Sequence, residues 1–271
     1  MSGLIKTDLL ADEVAESCVV AHRLFGVEIH AVNMRQAVET ICDWTASPEH
    51  GCRFVVTPNV DHVVLLRHHV GLQRAYREAS LVLADGWPLV FASRLLGKPL
   101  PERVAGSDLV PALFASGHSL RVFLLGAAPG VADRAARKIH DCWPSVSVVG
   151  TCSPPLGFES QPEETEKILA LVNESEADLL VIGLGAPKQE LWIQAHHGHL
   201  QVPAALCVGA SIDFLAGHRR RAPLWMQRMG LEWFYRMIKE PRRLARRYAY
   251  DASVFPHLLW REMWKNAARE S

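Results

Sequence analysis

What this chain lacks narrows the reading first. It has no run of eighteen or more apolar residues, so no membrane-spanning helix is expected. Residues 1–17 have no basic start followed by an apolar stretch, which reads against a secretory signal. The six cysteines (Cys18, Cys42, Cys52, Cys142, Cys152, Cys207) contain no CxxC pair and read as small buried hydrophobes. The thirteen histidines include no HExxH. Their densest groups, His68-His69 and His196-His197-Gly198-His199, have no carboxylate placed to complete a site. They read as polar helix ends, so no metal is expected. The phosphate-binding patterns GxGxxG and GxxxxGK[ST] are missing too, which argues against a nicotinamide cofactor or ATP. No internal repeat or low-complexity segment occurs.

Net charge is also absent, with 29 basic and 29 acidic side chains, but the balance is uneven along the chain. Residues 217–271 hold thirteen of the basic and five of the acidic groups, a surplus of eight that residues 1–216 reverse. Arginines dominate this tail and alternate with Trp225, Trp233, Phe234, Tyr235, Trp260 and Trp264. Guanidiniums beside amphipathic rings suit a surface that meets anionic head groups or phosphates.

Hydrophobic content of 49% supports a real core, and short apolar runs alternate with helical patterns. Runs at 53–57, 81–84, 120–125, 146–151, 179–183 and 204–208 each end in Gly, Asn, Asp or a small polar residue. Helical patterns follow at 60–79, 88–96, 131–142, from about 162, and at 189–199. Buried strand, turn and helix, repeated, predict an α/β fold with a Rossmann-like, mostly parallel sheet covered by helices on both faces. In such sheets ligands collect at the carboxyl ends of strands. Residues 1–23 read as an N-terminal extension, 24–216 as the sheet domain and 217–271 as a basic, amphipathic helical appendage. Within the appendage, 223–247 reads as two helices parted near Pro241, the second continuing past a break near Pro256.

The strand ends carry the candidate chemistry. Asp85, after Leu83-Ala84 and before Gly86, is a carboxylate placed to take a proton from an attacking hydroxyl; an Asp-Gly pair equally serves as a turn or helix cap. Thr57-Pro58-Asn59 ends the preceding strand and reads as a sugar-hydroxyl contact or as a turn and cap. Two glycine turns, Gly126–Gly130 and Gly183-Leu184-Gly185, offer backbone N–H groups to a phosphate or simply pack helix on strand. Gln189 and Glu190 at the next helix start are caps or ligands to a base or ribose. Asp213, after Gly209-Ala210-Ser211-Ile212, is a ribose contact or a turn acid. Arg103 is a loop arginine. Arg236, Arg243 and Arg246 share one helical face if the helix persists across Pro241, and such a row either grips a diphosphate or forms a solvated basic face.

Taken together these segments resemble the WecG/TagA/CpsF glycosyltransferases. The matching blocks are Thr57-Pro58-Asn59, Leu83-Ala84-Asp85-Gly86, Arg103-Val104-Ala105-Gly106-Ser107-Asp108 and Phe123-Leu124-Leu125-Gly126. Pro154-Pro155-Leu156-Gly157-Phe158, Gly183 through Glu190, Val208 through Asp213 and Arg221 through Arg236 complete the set, followed by Glu240-Pro241-Arg242-Arg243. One departure is Ile212, where the family usually has an aromatic. The resemblance implies an inverting, metal-independent transferase without a cofactor. It would move a sugar (N-acetylmannosamine, its uronic acid or glucose) from a UDP-sugar to a polyprenyl-diphosphate-linked sugar at the cytoplasmic membrane surface. It also implies Asp85 as general base with Thr57 beside it, and Arg103, Arg236, Arg243 and Arg246 on phosphates. Asn59, Gly86, Gly126, Gly185, Gln189 and Asp213 would line the substrate pocket. No nucleic-acid partner is implied, and a homo-oligomer stays open. The absence of a DxD motif agrees with metal independence. The alternatives from other classes are a non-catalytic nucleotide-binding protein docking on membrane or RNA through its tail, and a Rossmann-type oxidoreductase, which the missing GxGxxG disfavours.

Overall fold

A computed structural model of the chain describes residues 19–47 and 51–270. The expectations for residues 1–17 and for Cys18 fall outside those bounds. Two short strands, β1 (Ala21–Leu24) and β2 (Val27–His30), open the described part as an antiparallel hairpin. Its two turn residues, Phe25 and Gly26, have φ of 54° and 85°, the left-handed pair that matches the twist of a tight hairpin. A phenylalanine there costs about 1 kcal/mol of backbone strain. Its ring is held 5.3 Å from that of Phe255, far along the chain.

The six apolar runs form one parallel sheet. They are β3 (Arg53–Val56), β4 (Leu81–Val82), β5 (Leu120–Gly126), β6 (Val146–Cys152), β7 (Leu179–Gly183) and β8 (Ala204–Cys207), in the order β4-β3-β8-β7-β5-β6. Successive side chains point to opposite faces, and both faces are covered, so the runs stay apolar without alternating. Phe54, Val56, Leu180, Ile182, Ala205 and Cys207 enter one core; Val55, Leu179, Val181, Ala204 and Leu206 enter the other. The exposed edge of β4 is blunted by the hairpin, where the Val82 N–H donates to His30 Nδ1 at 3.0 Å.

Helices α1 (Met34–Ala46), α2 (Val60–Leu65), α3 (Val70–Glu78), α4 (Trp87–Leu95), α5 (Gly106–Phe114) and α6 (Val131–Cys142) follow or precede these strands. So do α7 (Pro162–Glu174), α8 (Lys188–His196) and α9 (Ser211–Leu215). The single helix expected over 60–79 is instead α2 and α3, because His69 caps a new helix by accepting from the Leu72 N–H. Cys42, Cys52 and Cys207 are buried as expected, Cys152 is half-buried and Cys142 is exposed.

The tail differs from its sequence reading in two ways. It holds three helices, α10 (Leu224–Arg228), α11 (Glu232–Lys239) and α12 (Pro241–Glu270), and α12 runs through Pro256 without a break. The helix does not persist across Pro241: a proline has no N–H to give and pushes Glu240 out of helical angles, to φ −132° and ψ 57°. The tail shares the sheet's core, since Leu258 is buried in it and Val254, Phe255 and Leu259 pack against it. No described helix is long and apolar enough to cross a membrane.

Candidate active site

Four neighbouring strands, β4, β3, β8 and β7, point their carboxyl ends at one place because the sheet is parallel. The residues that follow them floor a cleft of about 650 Å³, and α11 and α12 wall it. Close backbone approach under the floor demands glycine. A Cβ on Gly126 would lie 2.6 Å from the Gly183 carbonyl, and one on Gly183 would lie 2.8 Å from the Gly209 carbonyl and 2.9 Å from Ile212 Cδ1. Ile212 is thus the buried side chain that closes the floor.

Thr57 is buried and its hydroxyl donates to the Cys207 carbonyl at 3.1 Å, tying the end of β3 to that of β8. Asn59 caps α2 by accepting from the His62 N–H, yet still lines the cleft. Gly86 caps α4 with φ 139° and lines it too. Gln189 is buried: its carbonyl accepts from the Gly209 N–H at 3.1 Å and its amide donates to Glu190 at 2.8 Å, which fixes its orientation. Gly185 and Asp213 line the same floor, Asp213 lying 3.9 Å from Arg219. Gly126 is not among the lining residues and acts beneath them.

Asp85 stands at the end of β4, its N–H bonded to the Pro58 carbonyl at 2.8 Å. Its side chain keeps 31% exposure, toward the cleft it lines, while protein surrounds it elsewhere. Burial pushes its pKa up to about 6; Arg103 opposes the rise, Glu232 adds to it, and Arg236 again opposes it. Arg103 Nη1 lies 3.9 Å from Asp85 and 3.5 Å from Glu232, and its Nη2 bonds Asp108. Arg221 bonds the other Asp108 oxygen, reaches Glu232 at 3.4 Å, and packs over the Phe214 ring at 5.7 Å. Asp108, Glu232 and Arg221 therefore assemble the site with Asp85 and Arg103, although none of the three stood out as a site residue in the sequence.

Among the cleft arginines, Arg103, Arg219 and Arg247 are committed to carboxylates of the protein. The Arg236 guanidinium makes no ion pair or hydrogen bond with a described residue and faces the cleft. Arg246 is exposed and outside the cleft, and the side chain of Arg243 lies outside the described residues. Arg247 takes the wall position instead, 3.4 Å from Asp61. The cleft can therefore do two things at once: accept a proton at Asp85 and hold an anion at Arg236.

Residues 22–269 match the model of the glycosyl transferase WecG/TagA/CpsF family. Three Staphylococcus aureus proteins, from strains MW2, NCTC 8325 / PS 47 and COL, each share 29% identity with the chain over 225 residues. The matches cover 82% of this chain and 86% of each relative. All three carry the name N-acetylglucosaminyldiphosphoundecaprenol N-acetyl-beta-D-mannosaminyltransferase.

Proposed function

This chain belongs to the WecG/TagA/CpsF family of glycosyl transferases, and from that premise we propose that it moves a sugar from a UDP-sugar onto a sugar carried by a polyprenyl diphosphate. The observation that carries the reading is the pairing in one cleft of a desolvated carboxylate, Asp85, with an uncommitted guanidinium, Arg236. The family and its relatives make the protein a hexosyltransferase of cell-surface polysaccharide synthesis.

In the proposed step an acceptor hydroxyl attacks the anomeric carbon of the donor as Asp85 takes its proton. The bond from that carbon to the UDP oxygen breaks, and UDP leaves with the electron pair. A single displacement of this kind inverts the anomeric centre. Asp85 suits the task because a pKa of about 6 leaves it ionised at neutral pH yet a better base than an ordinary aspartate. The negative charge that builds on the diphosphate is met by Arg236, and by Arg103 once substrate competes with its carboxylate partners. Guanidiniums would then do without a metal what a cation does elsewhere. Relatives named as N-acetylmannosaminyltransferases make N-acetylmannosamine the first donor to test.

The tail supports action at a membrane surface. Trp225, Trp260 and Trp264 are 58%, 60% and 68% exposed on a segment rich in arginine, and each basic group near an anionic surface contributes on the order of 1 kcal/mol. The test is a donor screen with purified protein and a synthetic prenyl-diphosphate-linked N-acetylglucosamine, followed by mass spectrometry. A mass increment of one sugar residue on the lipid, an N-acetylhexosamine where the donor is UDP-N-acetylmannosamine, supports the reading; no product with any UDP-sugar refutes it.

A further inference from the structure

We propose that Asp61 and Asp251 form a hydroxyl-binding subsite for the acceptor sugar, in the cleft wall where α2 packs against α12. The proposal rests on the transferase reading and adds where one sugar ring sits.

Asp61 lies in the first turn of α2, is 13% exposed, and takes Arg247 at 3.4 Å. Asp251 follows Arg247 by one helical turn, so both project from the same side of α12. It is 5% exposed, lines the cleft, and makes no hydrogen bond or ion pair with any described residue. A buried carboxylate without a partner is costly unless a donor arrives to satisfy it. Burial, and after it the neighbouring Asp61, raise its pKa to about 6 against the opposing charge of Arg247. The backbone adds one more acceptor. Pro256 has no N–H and so withholds the usual helical bond from the carbonyl of Ala252, which lines the cleft beside Asp251.

The chemistry of this wall selects its occupant. Two carboxylates and a carbonyl against one guanidinium present acceptors and a net negative charge, which repels phosphate and welcomes neutral hydroxyl donors. Apolar surface stands next to them: the Tyr248 and Trp233 rings, 6.1 Å apart and edge to face, and Phe255. Hydroxyls on carboxylates with a ring face on aromatics is how a pyranose is held. The acceptor fits better than the donor because half of the subsite is α12, whose later turns carry the exposed Trp260 and Trp264. A lipid-linked sugar arriving over that surface reaches this wall, whereas Gly185, Gln189 and Asp213 belong to the ends of β7 and β8.

Asp61→Asn and Asp251→Asn are compared with the full-length wild type in steady-state transfer, using UDP-N-acetylmannosamine and a short-chain prenyl-diphosphate-linked N-acetylglucosamine. The acceptor KM is expected to rise about tenfold or more in each, with donor KM and calorimetric UDP affinity within about twofold of wild type. A second arm uses acceptors lacking one non-reacting hydroxyl: the penalty wild type shows for one of them should vanish in Asp251→Asn. Should Asp61→Asn lose its fold with the Arg247 pair, Asp251→Asn, which breaks no pair, carries the test. A rise in donor KM in place of acceptor KM, or wild-type acceptor KM in the folded variants, overturns the subsite. If wild type transfers no sugar from any UDP-sugar, the transferase reading falls with it; if wild type transfers and the variants match it, only the subsite falls.

Discussion

Asp85 Oδ1 and Arg103 Nη1 stand 3.9 Å apart, close enough to feel each other's charge and too far to share a hydrogen bond. Arg103 is held off by Asp108 and Glu232, which take its two ends. Asp85 is therefore left with an unblocked oxygen and a pKa lifted to about 6, the combination a proton acceptor needs.

The first consequence is a pH profile. Transfer should need ionised Asp85, so kcat/KM rises through about pH 6 and levels above it. The neighbours should move this limb in opposite directions. Arg103→Gln removes a cation that favours the carboxylate and shifts the limb to higher pH. Glu232→Gln removes an anion that disfavours it and shifts the limb lower. Profiles of the three proteins with the same substrates check both signs; a limb that neither variant moves contradicts the assignment.

Stability should answer to the same carboxylate. The folded-state pKa of about 6 lies above the ordinary aspartate value of 3.8, so between these the folded chain holds more protons than the unfolded one. Stability contributed by the protonated group is full below about pH 4 and lost as pH rises through 6. Asp85→Asn cannot ionise and should be more stable than wild type at pH 8, by roughly 1–2 kcal/mol after allowing for the 31% of the side chain that meets water. The difference should vanish near pH 4. Thermal melts at the two pH values decide it, and equal stability at pH 8 speaks against a desolvated charge.

Glycines at the floor should separate into two kinds. Gly126→Ala drives a Cβ to 2.6 Å from the Gly183 carbonyl at φ 113° and should cost roughly 3 kcal/mol or more. Gly185→Ala, at φ 80° with nothing within 4 Å, carries only the backbone penalty of about 1 kcal/mol. Denaturant titration of both variants measures the gap; equal losses would mean that the floor is not closely packed.

For the tail, the expected behaviour is binding to anionic vesicles that weakens with salt. Replacing Trp260 and Trp264 together by alanine should lower that binding by roughly tenfold while leaving the cleft unchanged. Vesicle co-sedimentation reads the first effect and UDP calorimetry the second. Undiminished sedimentation would remove these rings from the contact.

The sheet was legible because its strands are buried on both faces: runs such as Leu179–Gly183 are apolar throughout and end in glycine. That Asp85, Thr57 and Gln189 would line one cleft was legible because strand ends of a parallel sheet open on the same side. The tail was read correctly at Pro241 and wrongly at Pro256. Pro241 divides α11 from α12, whereas Pro256 sits inside α12 and leaves it whole, and composition alone does not separate the two cases. Asp108, Arg221 and Glu232 were invisible as site residues for another reason. They find one another through pairs as far apart as Arg103 with Glu232, and long-range charge pairing leaves no periodic trace in a sequence. Asp251 drew no notice likewise, being one acid on a helix whose neighbour in the cleft wall, Asp61, lies on α2.

The most direct measurement is sugar transfer by wild type and Asp85→Asn side by side, with UDP-N-acetylmannosamine, the prenyl-diphosphate-linked acceptor and calorimetric UDP affinity for each. A base at residue 85 predicts product from wild type, a fall of about 10²–10⁴ in kcat for the variant, and unchanged UDP binding. An Asp85→Asn protein that transfers sugar at the wild-type rate would contradict it.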